Sequence, residues 1–153
     1  MVSVAINGKT MTVGADGKLG IDSEDKFFGF NQGTTKIAER QSFTDARPVP
    51  GLAEIQKKNA GKPNSFNESW DNMHGEAFGL GQGIVHGAIK KGDSVQLVLS
   101  GKKPVCPDCI QDLAKMAGAG ELRFMTVVDT FEGIVYYWQK GMAELQPVAT
   151  LLK

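Results

Sequence analysis

His74-Gly75-Glu76 and, further along, Pro104-Val105-Cys106-Pro107-Asp108-Cys109 supply one imidazole, one carboxylate and two thiols in a spacing that can serve a single centre. The chain has only two cysteines and two histidines, so this one pattern absorbs both cysteines and one of the histidines. An imidazole and two thiolates are donors that zinc prefers. Three protein donors leave the fourth tetrahedral position open to water, as catalytic zinc sites do. A zinc ion held there, one per chain, would lower the pKa of that water toward ~7. Glu76 stands two residues from His74, near enough to face the same water without binding the metal, and so is placed to shuttle protons.

Two helix starts must bring these groups together. A helix is expected from about Gly75 to Lys90, with Ala77, Phe78, Gly81, Ile84, Val85 and Ala88 on its apolar face. Its glycines at 75, 79, 81, 83 and 87 weaken it and permit close packing. Lys90, Lys91 and Gly92 are expected to close it, as basic residues and a glycine cap suit a helix C-terminus. A second helix is expected over about 107–117, with Cys106 at its N-cap and Pro107 at its first position, where a missing N–H is harmless. Cysteines three residues apart then point to one side of the helix start, where the dipole favours thiolates.

Around these helices the pattern predicts a hairpin of residues 2–6 and 10–13 turning at Asn7-Gly8, with another turn at Asp16-Gly17. Residues 22–48, with Phe27, Phe28 and Phe30, show no clear period. A helix should follow Pro50 and run to about Asn59, ended by Gly61 and Pro63. Strands are expected at 94–100, 122–128 and 134–138. The last two are joined only by residues 129–133, too short a link for a parallel crossover, so they should pair antiparallel.

The chain has 153 residues, 17 basic and 17 acidic, and a formal net charge of zero. That length suits one domain with its own core; with no apolar run long enough to span a membrane and first residues without the basic flank and apolar stretch of a signal peptide, a soluble domain is expected, and a monomer. Zero charge argues against a general nucleic-acid coat. It leaves room for a local phosphate-binding groove, for which Lys57, Lys58, Lys62, Lys90, Lys91, Lys102, Lys103 and Arg123 are candidates. C-x-x-C after a strand and opening a helix also fits a thioredoxin-like redox dithiol, in which Glu76 would be dispensable. A structural zinc using His74 and His86 would need the helix between them to unwind. Gly79-x-Gly81-x-Gly83 is a fragment of a dinucleotide loop without the preceding strand, and is assigned to helix packing.

Taken in order, the H-x-E and C-x-x-C halves resemble the signature of the zinc-dependent cytidine deaminase superfamily. The resemblance covers residues 64–138 as a catalytic core and leaves residues 1–50 as an N-terminal extension. It implies an α/β fold, a three-layer α-β-α sandwich whose mixed sheet ends in an antiparallel C-terminal hairpin. It implies zinc on His74, Cys106 and Cys109, Glu76 as the catalytic acid–base, and hydrolytic loss of an amine from cytosine. Val105 intervenes between Pro104 and the first cysteine, a departure from the usual Pro-Cys order that would shift the backbone groups at Pro104 and Val105 that contact the base. The glycine and arginine of the nucleoside deaminases' Pro-Cys-Gly-x-Cys-Arg are absent.

A direct hairpin after the core resembles nucleoside deaminases and bacterial deaminase toxins. Together with the long N-terminal part, it points to an interbacterial DNA cytosine deaminase toxin acting on single-stranded DNA. Such a domain would be delivered within a secreted effector, act in the recipient's cytoplasm and be matched by an immunity protein. Phe66 and Trp70 are then candidates to stack on a base, as are Tyr136, Tyr137 and Trp138, with Asn64, Ser65 and Asn67 as polar contacts. Double-stranded DNA, RNA and free cytidine or nucleotide are the alternative substrates.

Overall fold

The computed structural model describes residues 2–10, 12–13, 19–20, 28–29, 47–62, 66–70, 73–99 and 104–151. Asp16-Gly17, Asn64, Ser65, Lys102 and Lys103 lie outside the described residues, as does most of the stretch at 22–48.

Asn7 and Gly8 both take positive φ, 49° and 84°, the conformation that a tight two-residue hairpin demands. They turn strand β1 (Val2–Ile6) into β2 (Lys9–Thr10). The Asn7 side chain binds the turn to the next part of the sheet, its Oδ1 accepting the Ser94 backbone N–H at 2.9 Å and its Nδ2 donating to Asp93 at 3.0 Å. Strands β3 (Thr12–Val13) and β4 (Leu19–Gly20) form a separate antiparallel pair, while β5 (Phe28–Gly29) joins the edge of β1. The first strand, which the resemblance placed in an N-terminal extension, is thus a member of the main sheet, paired along its whole length with β6 (Ser94–Leu99).

β6 and β7 (Phe124–Asp129) run parallel, and the helix between them is the crossover that parallel pairing requires. β8 (Ile134–Gln139) returns antiparallel to β7 through the short turn, as expected. The main sheet has the order β2-β1-β6-β7-β8-β9, so its topology is mixed. The last member, β9 (Gln146–Thr150), has no counterpart in the hydrophobic pattern. All five residues are exposed and one is Pro147, which an edge strand tolerates because its outer N–H groups face solvent.

Three helices occupy the described residues outside the sheets: α1 (Leu52–Asn59), α2 (Gly75–Val85) and α3 (Pro107–Ala119). α2 and α3 pack on each other, α2 also touches β1, β5 and β6, and α1 lies against α3. They cover the face where Val95, Leu97, Leu99, Met125, Val127 and Trp138 are buried. Gln96 on the other face is exposed, and the α/β fold with a mixed sheet ending in antiparallel strands is the one expected. None of the described helices is long and apolar enough to cross a membrane.

The glycine-rich α2 is shorter than its apolar pattern suggested. It stops at Val85 rather than Lys90, because Gly87 takes a φ of 77°. The Arg47 guanidinium donates to the Val85 carbonyl and lies 3.1 Å from His86 Nδ1, completing the helix end. Gly92, expected as the cap, turns the chain into β6 instead. Gly81 explains the helix's composition best: a Cβ there would come within 3.0 Å of both the Met116 methyl and the Trp70 ring. Gly51 is equally constrained. It precedes α1 with a φ of 74°, and a Cβ would meet the Lys115 carbonyl oxygen at 2.8 Å. Gly51→Ala is expected to destabilise the chain by about 2 kcal/mol or more, read as a lower denaturation midpoint in urea.

Candidate active site

The site lies at the carboxyl ends of the parallel strands β6 and β7, where open α/β sheets gather their ligands. Two helix N-termini meet there. His74 is the N-cap of α2 and Cys106 the N-cap of α3, both in extended backbone conformation and neither using its side chain to cap the helix. Ring and thiol are therefore turned toward each other rather than onto backbone N–H groups. Pro107 occupies the first turn of α3, and Cys109 follows one turn inside, fully buried.

The donor atoms of His74, Cys106 and Cys109 all lie within 4.8 Å of one another, and Cys109 Sγ is 3.3 Å from His74 Nδ1. Zinc–sulfur bonds of about 2.3 Å and zinc–nitrogen bonds of about 2.0–2.1 Å, at tetrahedral angles, set donors about 3.5–3.8 Å apart. The triangle, with separations on either side of these, is a donor set that could hold a metal such as zinc. The thiols themselves are poised for a cation. Cys106 is lowered to about 6, chiefly by the hydrogen bond from Cys109 and further by the N–H groups of Asp108 and Cys109, against the opposing effect of burial. Cys109 is raised well above the ordinary thiol value because Cys106 holds its hydrogen bond, because it is buried, and because the Glu76 carboxylate is close.

Glu76 is in the first turn of α2 and only 4% exposed. It stands beside Cys109 but outside the donor triangle. His86, at the far end of α2, is about 18 Å along the helix axis from His74 and is engaged by Arg47. A structural zinc shared by the two histidines is thereby excluded.

Four residues hold the triangle in place: Asn67 and Lys58, expected in other roles, and Asp112 and Asp129, which the sequence reading missed. Asn67 is fully buried, with a left-handed φ of 66°. Its Oδ1 accepts the His74 backbone N–H at 3.0 Å, and its Nδ2 lies 2.7 Å from Asp112 and 3.6 Å from Cys109 Sγ. The side chain expected to meet a sugar or base edge is turned into the protein. Asp112 is itself fully buried and paired with Lys58, which also lies 3.7 Å from Asp108. Lys58 is thus an internal ion-pair partner rather than a phosphate contact. Asp112 had a legible signal: it is a carboxylate one turn beyond Cys109 on the face that carries buried Leu113, Met116 and Ala117.

Asp129 is the second such residue. At the end of β7, fully buried, it accepts the Val105 N–H at 2.9 Å and the N–H groups of Phe131 and Glu132 at 2.9 and 3.0 Å. It ties the β7–β8 turn to the segment that delivers Cys106. Val105 is buried with its N–H consumed in this way, whereas Pro104 is exposed.

The aromatic candidates separate. Phe66 lies beside the His74 ring, centroids 4.8 Å apart and planes tilted by 48°, and is only partly buried. Trp70 packs on Gly81, meets Phe78 edge-on at 6.4 Å and donates its N–H to the Arg47 carbonyl. Trp138 is a core residue, 1% exposed, with its N–H on the Met142 carbonyl. Tyr137 stacks on Phe124 at 6.2 Å, and Arg123 covers the other partner of that pair at 5.0 Å. Tyr136 packs against the core, its hydroxyl pKa raised by burial and by the carboxylates of Asp129 and Glu132.

Among known proteins, a family model described as "Putative cytidine deaminase, C-terminal domain" matches residues 7–149. No curated protein and no solved structure matches the chain.

Proposed function

The chain belongs to the cytidine deaminase C-terminal domain family, its match running over residues 7–149 of 153, and from that premise we propose that it is a zinc-dependent deaminase converting cytosine to uracil in DNA, single-stranded DNA above all, as the toxin domain of an interbacterial effector. The observation that carries the chemistry is the His74, Cys106 and Cys109 donor triangle with buried Glu76 at its side. Zinc, when bound, supplies a water made acidic enough to attack near neutral pH.

The chain's own residues do the rest. Glu76 takes one proton from the attacking water and passes it to the ring nitrogen of cytosine, then takes the second from the hydroxyl left on C4 and delivers it to the departing amine. Cytosine and water thus become uracil and ammonia, the C4–O bond forming first and the C4–N bond breaking as the C4 hydroxyl becomes a carbonyl. Burial keeps the carboxylate away from bulk water. The Asp129 links to Val105, Phe131 and Glu132 hold the neighbouring walls still.

The DNA preference is supported by two aromatic rings near the site. Phe66 flanks His74, and Phe131, 49% exposed, sits on the turn that Asp129 fastens to Val105. A base stacked on such a ring gains ~1–3 kcal/mol. The direct β7–β8 hairpin fits both the toxins and the nucleoside deaminases; the Pro-Val-Cys-Pro-Asp-Cys segment, without the glycine and arginine of the nucleoside deaminases, supports the toxin branch. An immunity protein would then be the partner that protects the producing cell.

Free cytidine is the second substrate class, favoured by the absence of net positive charge. Purified protein offered single-stranded DNA, matched duplex, RNA and cytidine at equal cytosine concentration separates these cases. Uracil is expected first in single-stranded DNA, with Phe66→Ala raising KM for DNA more than it lowers kcat. Conversion of cytidine alone would replace the toxin role with a nucleoside-directed one.

A further inference from the structure

We infer that Asn67, aimed by Asp112 and Lys58, is the positioning residue of the metal site, fixing the His74 and Cys109 donors from outside the ligand triangle. This rests on the metal-dependent activity proposed above.

A side-chain amide has one accepting oxygen and one nitrogen with two hydrogens. In Asn67 the oxygen meets the backbone N–H of His74, while the nitrogen faces Asp112 Oδ2 and Cys109 Sγ. The two neighbours permit only this orientation, since a backbone N–H can only donate and an ionised carboxylate can only accept. Asp112 is itself held by Lys58, whose ammonium sits on its other oxygen. The order Lys58, Asp112, Asn67 is therefore a chain of fixed polarity that ends with an N–H directed at a ligand sulfur.

Each member comes from a different part of the fold. Lys58 is on α1, Asn67 on the segment before α2, and Asp112 on α3, one turn from Cys109. Through Asn67 the network touches the backbone of one ligand and the sulfur of another. It thereby sets the separation between the starts of α2 and α3. The residue type is demanded twice over. Asparagine enters the left-handed region at lower cost than most side chains, and aspartate there would set a second carboxylate against Asp112. Partners of this kind in metal sites govern affinity by about 10–100-fold.

The test uses Asn67→Gly, which keeps the positive φ accessible and removes only the amide. Zinc affinity is measured by competition with a chromogenic chelator, and ligand geometry by the visible and thiolate charge-transfer bands of the cobalt-substituted protein. Circular dichroism of the metal-free variant monitors folding. The expected result is a zinc affinity lowered by about 10–100-fold, altered cobalt bands and an intact fold. Lys58→Met should shift affinity the same way, and Lys58→Arg should lie closer to wild type than Lys58→Met does.

Wild-type affinity and unchanged cobalt bands in Asn67→Gly would overturn the inference while leaving the metal site standing. Absence of thiolate–cobalt bands in the wild type would overturn the metal site itself, and this inference with it. If Asn67→Gly fails to fold, the Lys58 pair decides: equal zinc affinity in Lys58→Met and wild type overturns the inference.

Discussion

Replacing Glu76 with glutamine is expected to lower turnover by about 10²–10⁴-fold while bound zinc stays at one equivalent per chain. The substitution keeps size and hydrogen-bonding capacity but removes the group that can take and return a proton. Because Glu76 lies outside the triangle of donor atoms, its loss should not empty the site. Its burial at 4% exposure argues further that no solvent base takes over easily. Metal analysis and single-turnover kinetics on the same preparation check both halves. A variant that loses its zinc would make Glu76 a ligand, and one that keeps full turnover would remove it from the chemistry.

Cys109→Ser is expected to have the second-largest effect, lowering zinc affinity by more than the roughly 10–100-fold assigned to outer partners. Cys109 is fully buried, its sulfur is 3.3 Å from His74 Nδ1, and a serine hydroxyl would remain protonated and bind zinc poorly. The same thiol gives the pH dependence a definite sign. In the metal-free chain Cys106 has already lost its proton near neutrality, with a pKa of about 6, whereas Cys109 holds its own well above the ordinary range. Metal uptake at pH 7–8 should therefore release about one thiol proton, and affinity should climb about tenfold per pH unit. Below about pH 6 Cys106 contributes a second proton and the slope steepens. Isothermal titration in buffers of different ionisation enthalpy reads the proton count directly.

The donor cluster was legible in the chain because it is built of rare residue types at short spacing. His74 and Glu76 are two apart, Cys106 and Cys109 three apart, and Pro107 marks the helix start that orients the thiols. The Asn7-Gly8 turn and the short link between β7 and β8 were legible for the same reason, since local backbone geometry fixes them. Of the site's supports, Asp112 alone carried a local signal, and the links between them carried none. Asn67 lies 42 residues from Cys109 and 45 from Asp112, and Lys58 lies 54 from Asp112. No local pattern links residues so far apart. Asp129 read as part of a turn, although it binds Val105 across 24 residues.

One helix end and one whole strand were missed, for different reasons. Apolar residues continue past Val85, but a left-handed glycine and the Arg47 guanidinium end α2 there. β9 carries no hydrophobic alternation because both of its faces are exposed, and only its pairing with β8 defines it.

The most direct measurement of the central claim is uracil formed from cytosine-containing single-stranded DNA by zinc-loaded protein, beside Glu76→Gln and a chelator-stripped sample restored with zinc. The arrangement of His74, Cys106, Cys109 and Glu76 predicts uracil from the wild type, little from Glu76→Gln, loss on stripping and recovery on restoration. Equal uracil from the wild type and the glutamine variant, or conversion that survives removal of the metal, would contradict it.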